Sequence, residues 1–442
     1  FYMFDAILYF YLKTNNQKYL TPVEKLLSNI SSKGVYDQLA GGIARYAVDE
    51  KWVIPHFEKM LYDNIQYIGL LTKFYQKTKK EYFKKKLIQT IKFINKEFKN
   101  EENLYGSAYD ADSEGVEGKY YVWSYEELKK LLENDLKLFE KKYEISSAGN
   151  FEGKNILVES KNELNEGEQT KITQIEEKLI QERSKRVRPF FDDKSQTDLN
   201  AFILDTLIGS AIVLGDNNLK NEAMGTLEIL NKKLSNKIYH CYDSTEIDAF
   251  LEDYVYYAML LVTLYEVNGD EKSLEKAINT MKEIWEIFYN KDTQLLQKNK
   301  IKDNDLFVSP IDLNDSNIPN GNSVYLNLCN KIYTITNDKF WFDKVEILKK
   351  SFHQVLNSFF SQMFSFIKVL DLCENSISFT FFGNQDSIKD IKINLQKDYL
   401  GRATFVYKNN NEEGSVVICK NQTCSEKLKS FDQVKNFLEN NI

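Results

Sequence analysis

The segment from Gly41 to Asp63 contains the densest group of residues that could do chemistry. Its sequence, GGIARYAVDEKWVIPHFEKMLYD, combines a histidine, lysines and carboxylates with Pro55, and proline suits the first position of a helix. A helix that begins there would place His56, Lys59 and Asp63 on one face, because they are three and seven residues apart. We interpret this face as the wall of a polar pocket. The alternative is a buried polar network that only fixes the loop.

Residues of these types fit acid/base chemistry, because carboxyl groups and histidine can donate or accept a proton near the working pH. The candidate catalytic residues are Asp253, His56, Glu58 and Asp63. The candidate substrate-binding residues are Arg45, Trp52, Lys59, Asp110, Asp112, Asp193, Lys194, Asn200 and Asn322. For His56 the alternative is a structural histidine that fixes the loop.

Asp253 is predicted to matter more than the other acidic residues. It lies in FLEDY, within the first turns of an otherwise apolar helix, where a carboxylate is costly unless it is paired or needed. Asp248 is a plausible cap for that helix, so capping does not require Asp253. A salt bridge to Lys194 or Arg188 is the structural alternative.

The motif DADSEG at Asp110–Gly115 resembles the start of a calcium-binding EF-hand loop. Position 12 of such a loop would be Tyr121 instead of a bidentate glutamate, and the flanks read as strands. The motif therefore predicts a shaped acidic loop at the rim of a site. The alternative is a tight turn in which Asp110 and Asp112 bind backbone amides.

Helical periodicity predicts five pairs of helices with short connections. They are 1–13 with 18–31, 55–77 with 81–98, 197–214 with 219–234, 248–268 with 271–289, and 321–336 with 338–361. Between the second and third pairs, 104–123 reads as strand and loop. Short helices are expected at 124–132, 136–143 and 173–186, and a loop or hairpin at 290–305.

Four of the predicted helices begin with a polar cluster. The clusters are PHFEKMLYD, DDKSQTDLN, FLEDY and PNGNS. If these helices form the inner ring of a closed array, the clusters converge on one mouth, where free N–H groups suit hydroxyls and anions. Four unrelated N-caps are the alternative.

The tail from about Ser376 alternates strand and helix patterns. Strands are predicted at 376–382, 403–407 and 415–419, and helices at 385–398 and 431–440. We therefore expect a helical body over residues 1–362, with a strand and loop insertion at about 104–190, and a small α/β appendage over 363–442 packed on it.

Several of these segments resemble the thioredoxin domain-containing, or spermatogenesis-associated protein 20-like, family. They are YDQLAGGIARYAVDEKWVIPHFEKMLYDN, YGSAYDADSEGVEGKYYVW, NFEGKN, RSKRVRPFFDDKSQTDLN, FLEDY, PNGNS and CKNQTC, in the family's order. The resemblance implies a mainly α fold, an (α/α)6 toroid similar to the six-hairpin glycosidases and N-acylglucosamine 2-epimerases. Family members usually carry a thioredoxin-like domain ahead of the toroid. We expect that this chain, which begins inside a helix, is a fragment without that domain.

The chain also departs from the family pattern. The family usually has histidine at Ala44, Trp-Asn-Gly at Leu199–Ala201, and often histidine near Phe190. Three functional classes stay open. The first is a carbohydrate-active enzyme, an epimerase or glycoside hydrolase. The second is a non-catalytic module that binds a sugar or protein together with a thioredoxin-like domain, and the third is a degenerate structural remnant.

Composition narrows the partners and the compartment. The 442 residues carry a net charge of −7 with mixed signs, so neither nucleic acid nor a membrane surface is an expected partner. A sugar-like small molecule is expected, with neither metal nor cofactor. Five scattered cysteines form no CxxC. Cys419 and Cys424 are close enough in sequence for a disulfide or a partial metal clip, but we interpret them as two thiols in a reducing, cytoplasmic compartment.

Overall fold

The helices and strands are given by a computed structural model, which describes residues 1–235, 237–241, 247–300, 310–409, 413–420 and 423–441. The α-helices are α1 (Tyr2–Thr14), α2 (Gln17–Ser32), α3 (Leu61–Thr78), α4 (Glu81–Glu97), α5 (Tyr125–Leu132), α6 (Leu136–Lys142), α7 (Glu166–Arg183), α8 (Thr197–Leu214), α9 (Asn217–Lys233), α10 (Leu251–Asn268), α11 (Glu271–Phe288), α12 (Gly321–Thr336), α13 (Lys339–Phe359), α14 (Phe364–Glu374), α15 (Lys389–Tyr399) and α16 (Phe431–Asn441).

The strands are mostly short. They are β1 (Tyr46–Ala47), β2 (Pro55–His56), β3 (Lys59–Met60), β4 (Ala108–Tyr109), β5 (Asp112–Ser113), β6 (Val116–Glu117), β7 (Phe191–Asp192), β8 (Tyr239–Cys241), β9 (Ile247–Asp248), β10 (Tyr289–Asn290), β11 (Leu295–Leu296), β12 (Ile377–Phe382), β13 (Thr404–Lys408), β14 (Ser415–Lys420) and β15 (Thr423–Cys424). The hairpin predicted at 290–305 is present as β10–β11, and its part from 301 lies outside the described residues.

The chain divides into two compact units. Unit 1 contains Phe1 and Asn15–Lys194, and unit 2 contains Tyr2–Thr14 and Ser195–Ile442. Each unit is described by itself below. The boundaries that the sequence suggested, at 104–190 and at 362/363, stay predictions.

Unit 1 combines the helix pair α3 and α4 with a small sheet and a second helical cluster. Strands β3, β4 and β7 form one antiparallel sheet, in which Lys59 pairs with Tyr109 and Ala108 with Asp192. Helices α5, α6 and α7 enclose a core built around Trp123, Phe139 and Leu179. Helix α7 begins at Glu166, seven residues before the predicted start, because Asn165 and Glu168 form a capping box there.

The predicted start of the second helix pair is wrong. Residues Pro55–His56 and Lys59–Met60 are extended, and α3 begins only at Leu61. Pro55 pairs with Ala47 and Lys59 with Tyr109, so strand pairing takes these residues out of the helix. His56, Lys59 and Asp63 therefore do not form one helical face.

Unit 2 contains three consecutive helix pairs, α8 with α9, α10 with α11, and α12 with α13. Helix α10 packs against both α8 and α12, and these three helices bury most of their surface. The second helix of each pair is capped by an aspartate, Asp216, Asp270 or Asp338, whose side chain accepts from the first turn. The apolar α8 also has the length and composition of a membrane span, but 61% of it is buried inside the protein, as in a core helix.

The α/β appendage lies within unit 2 and packs on its helices. Its sheet has the order β13-β12-β14-β15, with β12 parallel to β13 and the other pairs antiparallel. Tyr265 of α10 and Ile335 of α12 join its apolar core. The Tyr407 hydroxyl donates to the carbonyl of Glu266 at 2.6 Å, and the amide of Gln396 donates to the same carbonyl at 2.9 Å. The sequence did not predict α14, which packs against α1 and α12.

The interpretation of Cys419 and Cys424 as free thiols is wrong. A disulfide bond joins them, because β14 and β15 pair antiparallel and place the two residues directly opposite each other. Cys329 and Cys373 are free thiols.

Candidate functional site

Asp198, His240 and Asp253 form a compact ionisable group in unit 2, which we call the Asp–His–Asp cluster. Asp198 is the second residue of α8, Asp253 is the third residue of α10, and His240 lies in β8. Asp253 is fully buried and Asp198 is 8% exposed. Each side chain contributes one nitrogen or oxygen atom, and these three atoms lie within 4.8 Å of one another.

Asp253 is held at the centre of the cluster by hydrogen bonds. Its Oδ1 accepts the N–H of Asp198 at 3.1 Å, its Oδ2 accepts the N–H of Phe250 at 2.8 Å, and the Nδ1 of His240 lies 3.1 Å from both oxygens. The first residues of a helix have N–H groups without intrahelical partners, so they can satisfy a buried carboxylate. Asp253 thereby connects the start of α8 to the start of α10.

The prediction that capping does not require Asp253 is wrong. Helix α10 begins at Leu251, three residues after Asp248, and Asp248 pairs with Lys237 at 2.6 Å from strand β9. Asp253 itself accepts the N–H that precedes the helix. The predicted salt-bridge partners have other ion pairs in unit 1: Lys194 with Asp192, and Arg188 with Glu97.

The pKa values of two members of the cluster are raised. Burial raises the pKa of Asp198 to about 7, and the charge of Asp253 acts in the same direction. Burial lowers the pKa of His240, but the hydrogen bond and the charge of Asp253 outweigh it, so the pKa is raised above 6.5. A carboxylic acid and an imidazole with such pKa values can donate and accept protons at physiological pH.

The contacts of His240 define which nitrogen is available for chemistry. Because a carboxylate only accepts, Nδ1 donates to Asp253. In the neutral ring Nε2 is then the basic atom, and it lies 3.2 Å from the side-chain nitrogen of Gln196. The ring of Phe250 packs edge-on against the imidazole, with 5.0 Å between the ring centroids. His240 is thus oriented from three sides.

Glu252 adds another carboxylate at the start of α10. Burial raises its pKa, and its Oε2 is buried with no hydrogen-bond partner among the described residues. A Cβ atom at Gly321 would lie 3.0 Å from Glu252 Oε1, so the glycine at the start of α12 leaves room for this side chain. In unit 2, Asp253 therefore links the first turns of α8 and α10, and Glu252 lies against the first turn of α12.

The Asp–His–Asp cluster also has the donors that a metal ion would need. One imidazole nitrogen and two carboxylate oxygens at this separation could bind a divalent ion, with zinc or another first-row metal fitting the mixed nitrogen and oxygen donors. The hydrogen bonds that Asp253 already makes would compete with such binding, because they occupy both of its oxygens.

Two predicted site residues in unit 2 make backbone contacts. The Asn322 side chain accepts the N–H of Leu296 at 2.9 Å and donates to its carbonyl at 2.8 Å. Asn200 donates to the carbonyl of Gln196 at 2.9 Å. In unit 1, Asn64 binds Ile43 as Asn322 binds Leu296, accepting its N–H at 2.9 Å and donating to its carbonyl at 3.2 Å. These amides hold loops against helix starts, and a role in substrate binding stays a prediction.

In unit 1, Lys59 is buried in an ionic group with Asp37 and Arg183. Lys59 Nζ lies 2.9 Å from Asp37 Oδ2, and Arg183 binds both oxygens of Asp37 at 3.0 and 2.9 Å. Gly41 and Gly42 have φ values of +91° and +79°, and this loop brings the Gly41 carbonyl within 3.2 Å of Lys59. The group has two cations and one carboxylate, and the pKa of Asp37 is held well below its usual range by both partners despite burial.

The other predicted residues around His56 form a surface network. His56 Nδ1 lies 2.7 Å from Glu117, and Arg45 donates to Glu58 at 2.9 Å. Burial raises the pKa of Asp63 to about 7, although Arg45 opposes the effect, and Asp63 Oδ2 has no hydrogen-bond partner among the described residues. These residues fit acid/base chemistry individually, and a shared role stays a prediction.

The remaining predicted residues of unit 1 lie in loops and short strands. Asp110 accepts the N–H of Asp112 at 3.2 Å, as in a tight turn, and Asp112 begins the hairpin β5–β6. A role of either aspartate in substrate binding stays a prediction. Trp52 has a positive φ of 62° in the turn before β2. Asp193 is exposed, and its carbonyl accepts from Asn100 at 3.1 Å.

Comparison with known proteins identifies relatives that align with most of this chain. No family model matches it. An uncharacterized protein of Caenorhabditis elegans is 23% identical, over 93% of this chain and 65% of that protein. Spermatogenesis-associated protein 20 of Homo sapiens is 22% identical, over 93% of this chain and 62% of that protein, and the Mus musculus protein is 24% identical, over 84% and 53%. These relatives confirm the resemblance to the spermatogenesis-associated protein 20-like family. The chain spans about half to two thirds of their length.

Comparison with solved structures identifies the fold. Cellobiose 2-epimerase from Bacillus thermoamylovorans aligns with a TM-score of 0.50 and 14% identity, over 81% of this chain and 74% of that one. A family 105 glycoside hydrolase from C. acetobutylicum aligns with a TM-score of 0.47 and 14% identity, over 80% and 76%. The fold class is mainly α, of the six-hairpin (α/α)6 toroid type, as predicted.

Sequence reasoning missed His240, Asp198, Asp37 and Arg183. Asp198 lies inside the polar cluster DDKSQTDLN, whose aspartates have the same local character, so no local signal distinguishes it. His240 lies outside every motif that carries the family resemblance. One signal was available, because only three histidines occur in the chain and each could have been tested as the partner of Asp253.

Proposed function

We propose that this protein is a carbohydrate-active enzyme whose acid/base chemistry is carried out by the Asp–His–Asp cluster. The observation that carries the proposal is the hydrogen bonding of His240 Nδ1 to both oxygens of the buried Asp253. This contact orients the imidazole and stabilises its protonated form, as a base that must take up and return a proton requires. The fold, shared with sugar-processing enzymes, supports the same substrate class by analogy.

An epimerase- or isomerase-type reaction fits the cluster better than glycoside hydrolysis. The base of the cluster is an imidazole held by a buried carboxylate, whereas glycoside hydrolysis is generally carried out by a pair of carboxyl groups. His240 would instead remove a proton from the carbon next to the sugar carbonyl, and Asp198 would donate a proton to the carbonyl oxygen.

A solvent-exchange experiment tests this reaction. Cellobiose and mannose are incubated with the protein in heavy water, and NMR follows deuterium incorporation at the carbon next to the carbonyl. We expect incorporation with the unmodified chain and its loss in His240→Asn. His353→Asn is the matched control, because His353 lies on α13 outside the cluster.

Two outcomes would overturn the assignment. Exchange that survives His240→Asn but disappears in His56→Asn would move the chemistry to unit 1. Binding without exchange would favour the non-catalytic sugar-binding module. Such binding should raise the free energy of unfolding by ~2.7 kcal/mol when the ligand is present at about one hundred times its dissociation constant.

The remaining parts of the functional hypothesis are also proposals. We propose a sugar-like small molecule as ligand, and a thioredoxin-like domain as partner because the family resemblance implies one. The absence of nucleic-acid and membrane partners stays a prediction from composition. Cytoplasmic location stays a prediction as well, and the Cys419–Cys424 disulfide counts against a reducing compartment.

A further inference from the structure

Unit 1 contains a cleft of about 250 Å³ that the proposed function does not use. One wall is a stripe of α4, where Gln89, Lys92, Phe93 and Lys96 are spaced as residues of one helical face. Tyr120 and Arg188, which lie outside this helix, also line the cleft. We call this feature the α4 cleft, and it is large enough for a ligand of monosaccharide size.

The α4 cleft has an excess of positive charge. Lys92, Lys96, Arg183 and Arg188 line it, against two carboxylates, Asp37 and Glu97. Asp37 is paired with Arg183, which lines the cleft, and with the buried Lys59, which does not. Glu97 is shared as well, lying 2.8 Å from Arg188 and 3.8 Å from Lys96. Lys92 is exposed and makes no ion pair with a described residue. A low-dielectric cleft with such an excess attracts anions.

Aromatic rings line the same space. Tyr120 and Tyr121 pack edge to face with 5.1 Å between centroids, and the Arg183 guanidinium lies 5.3 Å from the centre of the Tyr120 ring. Neither tyrosine hydroxyl makes a hydrogen bond to a described residue. A half-buried ring with an available hydroxyl, beside cations, suits the face and hydroxyls of a sugar ring.

We propose that the α4 cleft binds a small phosphorylated sugar, with its phosphate at Lys92, Lys96 and Arg188 and its ring against Tyr120. A doubly charged phosphate matches the surplus of two positive charges better than a single carboxylate does. All residues of this site belong to unit 1, whereas those of the Asp–His–Asp cluster belong to unit 2.

Calorimetric titration of the full chain tests this proposal, with glucose 6-phosphate, glucose and inorganic phosphate as probes. We expect glucose 6-phosphate to bind at least about tenfold more tightly than either other probe, and more weakly as salt is raised. The double variant Lys92→Ala/Lys96→Ala should weaken it about tenfold. Lys85→Ala is the matched control, because Lys85 is exposed on α4 but does not line the cleft.

Two further variants separate this proposal from the others. Tyr120→Ala should weaken the binding of glucose 6-phosphate but leave the binding of inorganic phosphate unchanged. His240→Asn should leave the binding of both probes unchanged. The proposal is overturned if glucose 6-phosphate does not bind at millimolar concentration, if the double lysine variant binds as the unmodified chain does, or if His240→Asn abolishes binding.

Discussion

At the residue scale, the position of Asp253 makes its chemical and structural roles inseparable. Its two oxygens accept backbone N–H groups from the starts of two helices, and the same oxygens face His240. From the sequence alone, a carboxylate in an apolar helix pointed to a special role. The partners could not be predicted, because Asp198 and His240 approach it only after long-range packing.

Asp253→Asn should lower both activity and stability. An asparagine has one acceptor oxygen, so its NH₂ group would face a backbone N–H that has lost its acceptor. We expect a loss of about 1–3 kcal/mol in the free energy of unfolding, together with weaker proton transfer. Chemical denaturation and the exchange assay measure the two effects, and an unchanged stability would contradict the hydrogen bonding described above.

The pH dependence of stability should report the protonation of Asp198. Its pKa is about 7 in the folded protein and 3.8 in the unfolded chain, so between these values the folded state binds more protons. The free energy of unfolding therefore falls as pH rises from about 4 to 7, by an amount on the order of a few kcal/mol. The pKa of His240 is also raised, so the free energy of unfolding falls further as pH rises above 6.5.

The variant Asp198→Asn isolates this contribution. Denaturation at several pH values gives the free energy of unfolding of both proteins. Taking the difference removes the contributions of other buried acids, such as Asp63 and Glu252, because both proteins contain them. We expect the unmodified chain to be the more stable one at low pH, by an amount that shrinks towards pH 7. A difference that is independent of pH would show that Asp198 is ionised throughout.

At the element scale, local sequence signals predicted helices well where local interactions decide them. Helix α8 has the predicted bounds, Thr197–Leu214, because its apolar run and its C-terminal Gly215 with a φ of +70° are local features. Helix α3 begins six residues late because β2 and β3 pair with strands that periodicity does not reveal. The disulfide was missed for the same reason, since it depends on the register of β14 and β15.

Removing this disulfide should have a modest effect. The two cysteines are five residues apart, and the chain-entropy relation for so short a loop gives about 2 kcal/mol. Urea denaturation of Cys419→Ser/Cys424→Ser, compared with the unmodified chain, measures the loss. Cys373→Ser is the control, because Cys373 is a free thiol. If the purified protein contains five free thiols by thiol titration, the bond is absent and the predicted reducing compartment regains support.

At the scale of the whole molecule, the comparisons settle the fold class, whereas the candidate site depends on details that the fold does not determine. Family resemblance was sufficient for the fold because the motif order extends over most of the chain. At the candidate site it emphasised Ala44 and His56 and did not include His240, because no family motif contains that residue. Tertiary contacts within unit 2, which no motif encodes, identified the cluster.

The α/β appendage should be required for the stability of the helices on which it packs. Ending the chain after Asn375 would expose Tyr265 and Ile335 and leave the Glu266 carbonyl without its bonds from Tyr407 and Gln396. We expect binding of a hydrophobic dye and a lower melting temperature. Tyr407→Phe is a milder test, with an expected loss of about 1 kcal/mol. A truncated chain that melts like the full one would show the appendage to be dispensable.

The asparagine clamps, Asn64 on Ile43 and Asn322 on Leu296, make the protein sensitive to chemical ageing. Deamidation would turn each amide into a carboxylate, which cannot donate to the carbonyl that the amide now binds. Both side chains are fully buried, so the reaction should proceed mainly while the chain is unfolded. Asn322→Asp should cost about 1–3 kcal/mol. Refolding yield should therefore fall with time held at high temperature, in step with deamidation at these two positions by peptide mass spectrometry.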